Sequence, residues 1–219
     1  MSNQNSKNHS KILFLTQFSM LLAIEAIVCF TPLGSLPIGP MVATLSALPV
    51  IVTTVILGTK PGMLMGLFFG LFSFIVWTFM PPNPALAFVF TPFYSFGKFN
   101  GSFWSIVICF VPRILIGAVT GVCITMLTKL MGEKKSKAKF GAICTLSGVL
   151  GSLTNTILVL GGIYLFFGKN YATANGMAYE LLLGAIGTVI LTNGLLEAVL
   201  GGVFGGAISP LKDRLNKTI

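Results

Sequence analysis

The residues best able to do chemistry in this chain are polar groups set inside long apolar runs: Glu25, Arg113, Asn155 and Glu197. Ionisable groups at membrane depth are costly, so each is a functional candidate before anything else is known. A guanidinium presents a rigid fork of donors that matches a carboxylate, and an amide both donates and accepts. Arg113 lies about ten residues, roughly 15 Å, from the expected outer end of its helix. Asn155 lies about twelve residues, roughly 18 Å, from that of the next. The first helix descends and the second ascends, so the pair meets at a similar level. Thr154 and Thr156 flank Asn155, and Tyr164 lies nearer the outer mouth. The set suits a small polar anion entering from outside. The alternative for Arg113 is an internal ion pair with Glu25. Glu197, beside Asn193, is placed deeper, where a structural or conformational role comes before direct contact with a ligand.

These groups need helices to hold them. The chain has 219 residues, of which 54% are hydrophobic and 9% charged, and its mean hydropathy is +0.92. A soluble domain carries about a quarter of its residues charged, so lipid is the solvent for most of this surface. At about 20 residues per crossing the length allows six transmembrane helices in one all-α bundle. The expected domain runs over residues 12–208, with polar tails at 1–11 and 209–219. Helices are expected at about 12–31, 41–57 (with Pro49 kinking it), 62–79, 103–131, 140–167 and 180–208. The first run is longer than a signal-peptide core and lacks a small-residue cleavage site after it, so it reads as a retained helix. Gly62, Gly66 and Gly70, and then Gly117 and Gly121, recur at the spacing that lets helix backbones approach in lipid. No internal repeat stands out.

Orientation follows from the basic residues. With the N-terminus inside, Lys7, Lys11, Lys60, Lys129, Lys134, Lys135, Lys137, Lys139, Lys212, Arg214 and Lys217 face the cytoplasm and only Lys98 and Lys169 face out, eleven against two. That asymmetry places both termini in the cytoplasm. It also accounts for the net charge of +9 without nucleic acid. The connection at 80–102 is rich in Pro, Phe and Gly. Its stretch from Phe90 to Lys98, which includes Tyr94, is able to close over a ligand or to form an interfacial aromatic belt, the role that suits Trp77 and Trp104. The four cysteines lie in apolar runs and read as free thiols. The only histidine, His9, is in the polar tail, and no zinc-protease, nucleophile-elbow or phosphate-loop pattern occurs. No enzymatic activity, metal or cofactor is expected, and any ATP hydrolysis must come from another chain.

Four segments carry a resemblance: 30–62 (FTPLGSLPIGPMVATLSALPVIVTTVILGTKPG), 112–117 (PRILIG), 151–168 (GSLTNTILVLGGIYLFFG) and 193–200 (NGLLEAVL). In order and spacing they resemble the substrate-binding S component of energy-coupling-factor (ECF) vitamin transporters, particularly the pantothenate type. The resemblance implies a six-helix protein that captures a vitamin from outside. It implies partners too: a transmembrane coupling subunit and two cytoplasmic ATPase subunits. Arg113 and Asn155 match positions that would bind the pantothenate carboxylate and polar groups. The small-residue docking motif of the family's first helix is matched by Ser19 and Ala23, with Ala26 one turn beyond. Other readings remain open: an S component for a different vitamin, a secondary carrier of a small organic anion with Glu25 or Glu197 moving protons, or a membrane scaffold without a ligand.

Overall fold

The computed structural model describes residues 2–34, 36–38, 41–43, 45–131 and 136–216, with side chains described for 8–32, 34, 45–131 and 136–212. Lys134, Lys135 and Lys217 lie outside the described residues, as do the side chains of Lys7 and Arg214. Among the described residues the chain is an all-α bundle with eight α-helices: α1 (Ser2–Phe30), α2 (Ala47–Leu57), α3 (Thr59–Phe79), α4 (Phe103–Leu130), α5 (Lys137–Gly162), α6 (Gly168–Ala174), α7 (Tyr179–Val189) and α8 (Leu195–Asn216). Two small antiparallel hairpins interrupt it: β1 (Leu36–Ile38) with β2 (Met41–Ala43), and β3 (Ser95–Phe96) with β4 (Phe99–Asn100).

A π-turn, Ile163–Phe167, joins α5 to α6, and a second, Ile190–Gly194, joins α7 to α8. The result is two long apolar helices, Lys137–Ala174 and Tyr179–Lys212. With Asn8–Phe30, Thr59–Phe79 and Phe103–Leu130 they make five helices, among the described residues, long and apolar enough to cross a membrane. The sixth apolar helix, α2, has 11 residues. That is about 16 Å at helical rise, half of the ~30 Å hydrocarbon core.

Helix α2 begins later than the hydrophobic pattern suggests because of Pro49. A helix reaching back to Met41 would put that proline in its interior, costing the bond to the Leu45 carbonyl. Starting at Ala47 leaves Pro49 in the first turn, where amides have no helical partner anyway. Met41–Ala43 pairs with Leu36–Ile38 instead. The same reasoning starts α3 at Thr59, two residues before Pro61. The turn between α2 and α3 is made by Gly58 at φ +102°, a region a side chain disfavours. Within α2, Val50, Ile51 and Val55 are fully buried, and the hydroxyls of Thr53 and Thr54 donate to the Pro49 and Val50 carbonyls at 2.7 and 2.8 Å. Hydroxyls satisfied this way can be carried inside an apolar bundle.

Helix α2 packs on α1, α3, α4 and α8, and α5 packs on α4 and α8. Between helices in lipid, close packing rather than water exclusion supplies the attraction. The glycines provide it: a β-carbon on Gly66 would meet the Arg113 backbone carbonyl, and one on Gly117 would meet the backbone of Gly62. Helix α1 packs mainly on α2, α3 and the segment after it, and Ile12, Leu15, Met20, Ile24 and Ile27 are exposed.

The 80–102 connection is an ordered cap rather than a loose loop. Asn83 accepts a hydrogen bond from the Ala85 amide at 3.1 Å to start a 3-10 helix, Pro84–Val89. Phe88 and Val89 are fully buried there. Ser105 in the first turn of α4 donates to the Phe88 carbonyl at 2.7 Å and accepts from the Ser102 amide at 3.0 Å. One hydroxyl thus fixes the cap to the helix that carries Arg113.

Candidate functional site

The proline in Pro112-Arg113 decides where the guanidinium goes. Proline has no N–H, so the carbonyl four residues earlier, that of Ile108, loses its helical partner. Side chains on a helix lean back toward its N-terminus, and Arg113 Nη1 donates to that orphaned Ile108 carbonyl at 2.6 Å. Two rings hold the planar cation: Phe69 of α3 at 5.5 Å and Phe90 of the cap at 5.4 Å. Trp77 stacks on Phe90 at 4.5 Å. Arg113 is only 6% exposed, yet its Nε has no hydrogen-bond partner.

Arg113 forms part of the wall of a cavity of about 210 Å³. Helix α1 contributes Cys29, α3 contributes Phe69, Ser73, Val76 and Trp77, and the cap contributes Asn83, Leu86 and Phe90. On α5 the wall is formed by Asn155, Thr156, Val159 and Leu160. Ile163 and Asn193 come from the two π-turns, Tyr171 from α6, and Glu197 from α8. Ligand pockets of this kind combine a mainly apolar wall with a few polar groups that fix orientation. Besides Arg113 Nε, Asn155 Oδ1 and the neighbouring Ser152 Oγ have no partner. Buried polar atoms are nearly always satisfied, so a cavity whose wall carries unsatisfied ones is arranged to receive a polar molecule.

The structure brings Arg113 and Asn155 into the lining of one cavity. It does not bring the other candidates there. Thr154 turns away and donates to the Leu150 carbonyl at 2.7 Å. The cavity stripe on α5 is 155, 156, 159, 160 and 163, and one residue before it lies 100° round the helix, so Thr156 takes the place instead. Tyr164 stacks on Tyr179 at 5.9 Å, away from the cavity. Tyr94 is half-buried outside it, and Lys98 is exposed, with Nζ 5.7 Å from the Phe99 ring.

Four findings were not expected from sequence. Trp77 belongs to the cavity wall, not to an interfacial belt, whereas Trp104 is 46% exposed and stacks on Phe166 at 3.9 Å. Glu197 lies at the level of Asn155, because Thr156 Oγ1 donates to its Oε2 at 3.0 Å. The depth error has a simple cause: α5 continues through its π-turn to Ala174, seven residues past the expected end. Glu25 is fully buried and does not pair with Arg113; its Oε1 accepts from the Cys29 thiol at 3.2 Å and its Oε2 has no hydrogen-bond partner. Cys29, the thiol that donates to Glu25, lines the cavity.

On α1, Ser19 and Ala23 are exposed and Ala26 is half-buried. They occupy one stripe, at i, i+4 and i+7.

Two comparisons bear on what the cavity holds. The family model described as "ECF transporter, substrate-specific component" matches residues 13–203. The pantothenic acid transporter PanT of Lactococcus lactis subsp. cremoris (strain MG1363) is 35% identical over 172 residues, covering 78% of this chain and 78% of that protein.

Proposed function

Starting from the fact that the chain belongs to the family of substrate-specific components of ECF transporters, we propose that its cavity binds pantothenate for uptake. The observation that carries this reading is the buried Arg113, with Nε unpartnered, beside the unpartnered Asn155 Oδ1 in one cavity. Pantothenate has a carboxylate at one end, an amide in the middle, and two hydroxyls around a dimethyl-substituted carbon at the other. The guanidinium takes the carboxylate through charge-assisted hydrogen bonds. Asn155 and Asn193 offer both donors and acceptors for the amide and hydroxyls. The dimethyl group meets the apolar wall of Val159, Leu160 and Ile163. The relative's name supports the choice of vitamin.

The mechanism then needs no chemistry at the ligand. Capture is burial: the cap and the π-turn residues enclose a polar molecule that supplies the missing partners of Arg113 and Asn155. Energy for release inward comes from other chains. Those partners are a transmembrane coupling subunit and two ATPase subunits, and the exposed stripe of Ser19, Ala23 and Ala26 on α1 is the docking face for the coupling subunit. Small side chains there let two helices approach closely in lipid. Both termini lie in the cytoplasm, following the distribution of lysine and arginine.

Titrating the purified chain in lipid nanodiscs with pantothenate tests the reading. Saturable binding without any partner is expected; no binding of pantothenate, with another vitamin binding in its place, would reassign the substrate.

A further inference from the structure

Among the described residues, two charged side chains line the cavity: Arg113 from α4 and Glu197 from α8. Glu197 is 7% exposed and held in place, since the Thr156 hydroxyl on α5 donates to its Oε2 at 3.0 Å. The helices are close at that level. A β-carbon on Gly194, in the π-turn before α8, would come within 3.1 Å of Thr156 Cγ2. The charge of Glu197 also acts on the buried Arg113. The described wall thus carries one positive and one negative group and is neutral as a whole. A buried cation stripped of its counter-charge is strongly destabilising, so Glu197 makes the empty cavity tolerable. For a ligand the same pair has a second consequence. Arg113 alone would draw in any anion, and more strongly the higher its charge. With Glu197 fixed in the wall, one anionic group is met by the guanidinium and a second meets a carboxylate.

We infer that Glu197 is a charge filter: through like-charge repulsion it keeps out ligands that carry a second anionic group at the end remote from Arg113. The inference rests on the pantothenate reading and adds a selection rule to it. Pantothenate satisfies the rule, because one end is a carboxylate and the other is neutral. Its neutral end reaches Asn193, four residues before Glu197. A diacid of the same length would instead set carboxylate against carboxylate in a buried site, where repulsion suppresses the wrong partner. Rejection of this kind needs no better fit to the right ligand and accepts some loss of affinity for it.

The test uses two analogues of pantothenate altered only at the terminal CH₂OH: a diacid with a carboxylate there, and the methyl ester of that carboxylate, which is larger but neutral. Each is titrated into wild type and Glu197→Gln in nanodiscs at neutral pH. Wild type is expected to bind the ester about tenfold or more tightly than the diacid, the reverse of what size alone would give. Glu197→Gln is expected to bind the diacid about tenfold more tightly than wild type does, a gain that a purely structural role does not produce. Wild type binding the diacid as tightly as the ester overturns the inference. So does a diacid affinity that stays the same or falls in Glu197→Gln. If that variant does not fold, Glu197→Met, neutral and close in volume, is read by the same criterion. Pantothenate bound normally with no discrimination against the diacid removes this inference alone, whereas wild type that binds no pantothenate sinks the reading beneath it as well.

Discussion

Replacing Arg113 with glutamine should abolish the protein's preference for a carboxylate. The guanidinium is nearly fully buried, lies 5.5 and 5.4 Å from two aromatic rings, and is anchored at 2.6 Å to the Ile108 carbonyl. It is therefore pre-organised, and a ligand spends little entropy in ordering it. A hydrogen bond to a charged group is worth about 1.5–3 kcal/mol, so losing it weakens binding by roughly ten- to one-hundred-fold. Glutamine retains one amide donor, which sets the expectation at the lower end. Burial also makes the effect insensitive to salt: surface charges are screened beyond about 10 Å at 0.1 M salt, while buried pairs are screened far less. The assay is isothermal titration with pantothenate and with its neutral alcohol analogue, which has CH₂OH in place of the carboxylate. Wild type should prefer the acid, and Arg113→Gln should bind both alike. A thermal melt is a separate check, since the Ile108 carbonyl is stranded and stability drops even without ligand. The reasoning is refuted if Arg113→Gln keeps the acid preference, or if both ligands weaken equally.

Other consequences follow from the same geometry. Pro112→Ala supplies an N–H for the Ile108 carbonyl and frees Arg113 from its anchor; the helix should become more stable, yet pantothenate binding should weaken by about three- to tenfold, as a paired melt and titration would show. Gly66→Ala sets a β-carbon against the Arg113 backbone carbonyl, so α3 and α4 must separate, and a lower melting temperature together with weaker binding is expected; an unchanged melt contradicts close packing at that crossing. Ala23→Trp projects from the exposed stripe of α1 and should leave the pantothenate Kd unchanged while reducing co-purification with the coupling subunit. Undiminished co-purification would place docking elsewhere.

Some of this site is legible in the sequence because lipid makes polar residues conspicuous. Arg113 and Asn155 stand out against their apolar surroundings, and both line the same cavity. The rule that proline breaks helices also holds information that is easy to pass over: a proline directly before an arginine both orphans a carbonyl and supplies the side chain that satisfies it. Less legible are features that depend on the angle around a helix rather than the depth along it. Thr154 and Thr156 are equivalent as neighbours of Asn155, and only the direction of the α5 stripe separates them. Trp77 looks like a belt residue from its position at a helix end; its place in the wall depends on the cap folding Phe90 back over it. Glycine gave no stop at Gly168, because α6 continues directly from the π-turn, and that extension places Asn155 deeper than its expected depth, at the level of Glu197. The late start of α2 depends on where Pro49 can be tolerated, which apolar content does not reveal.

The most direct test is an experimental structure of the chain in nanodiscs with pantothenate bound, at a resolution that distinguishes the ends of the ligand. The account expects density in the cavity, the carboxylate on the Arg113 guanidinium, and the amide and hydroxyls within hydrogen-bond reach of Asn155 and Asn193. Pantothenate bound elsewhere, or lying with its carboxylate away from Arg113, would contradict it.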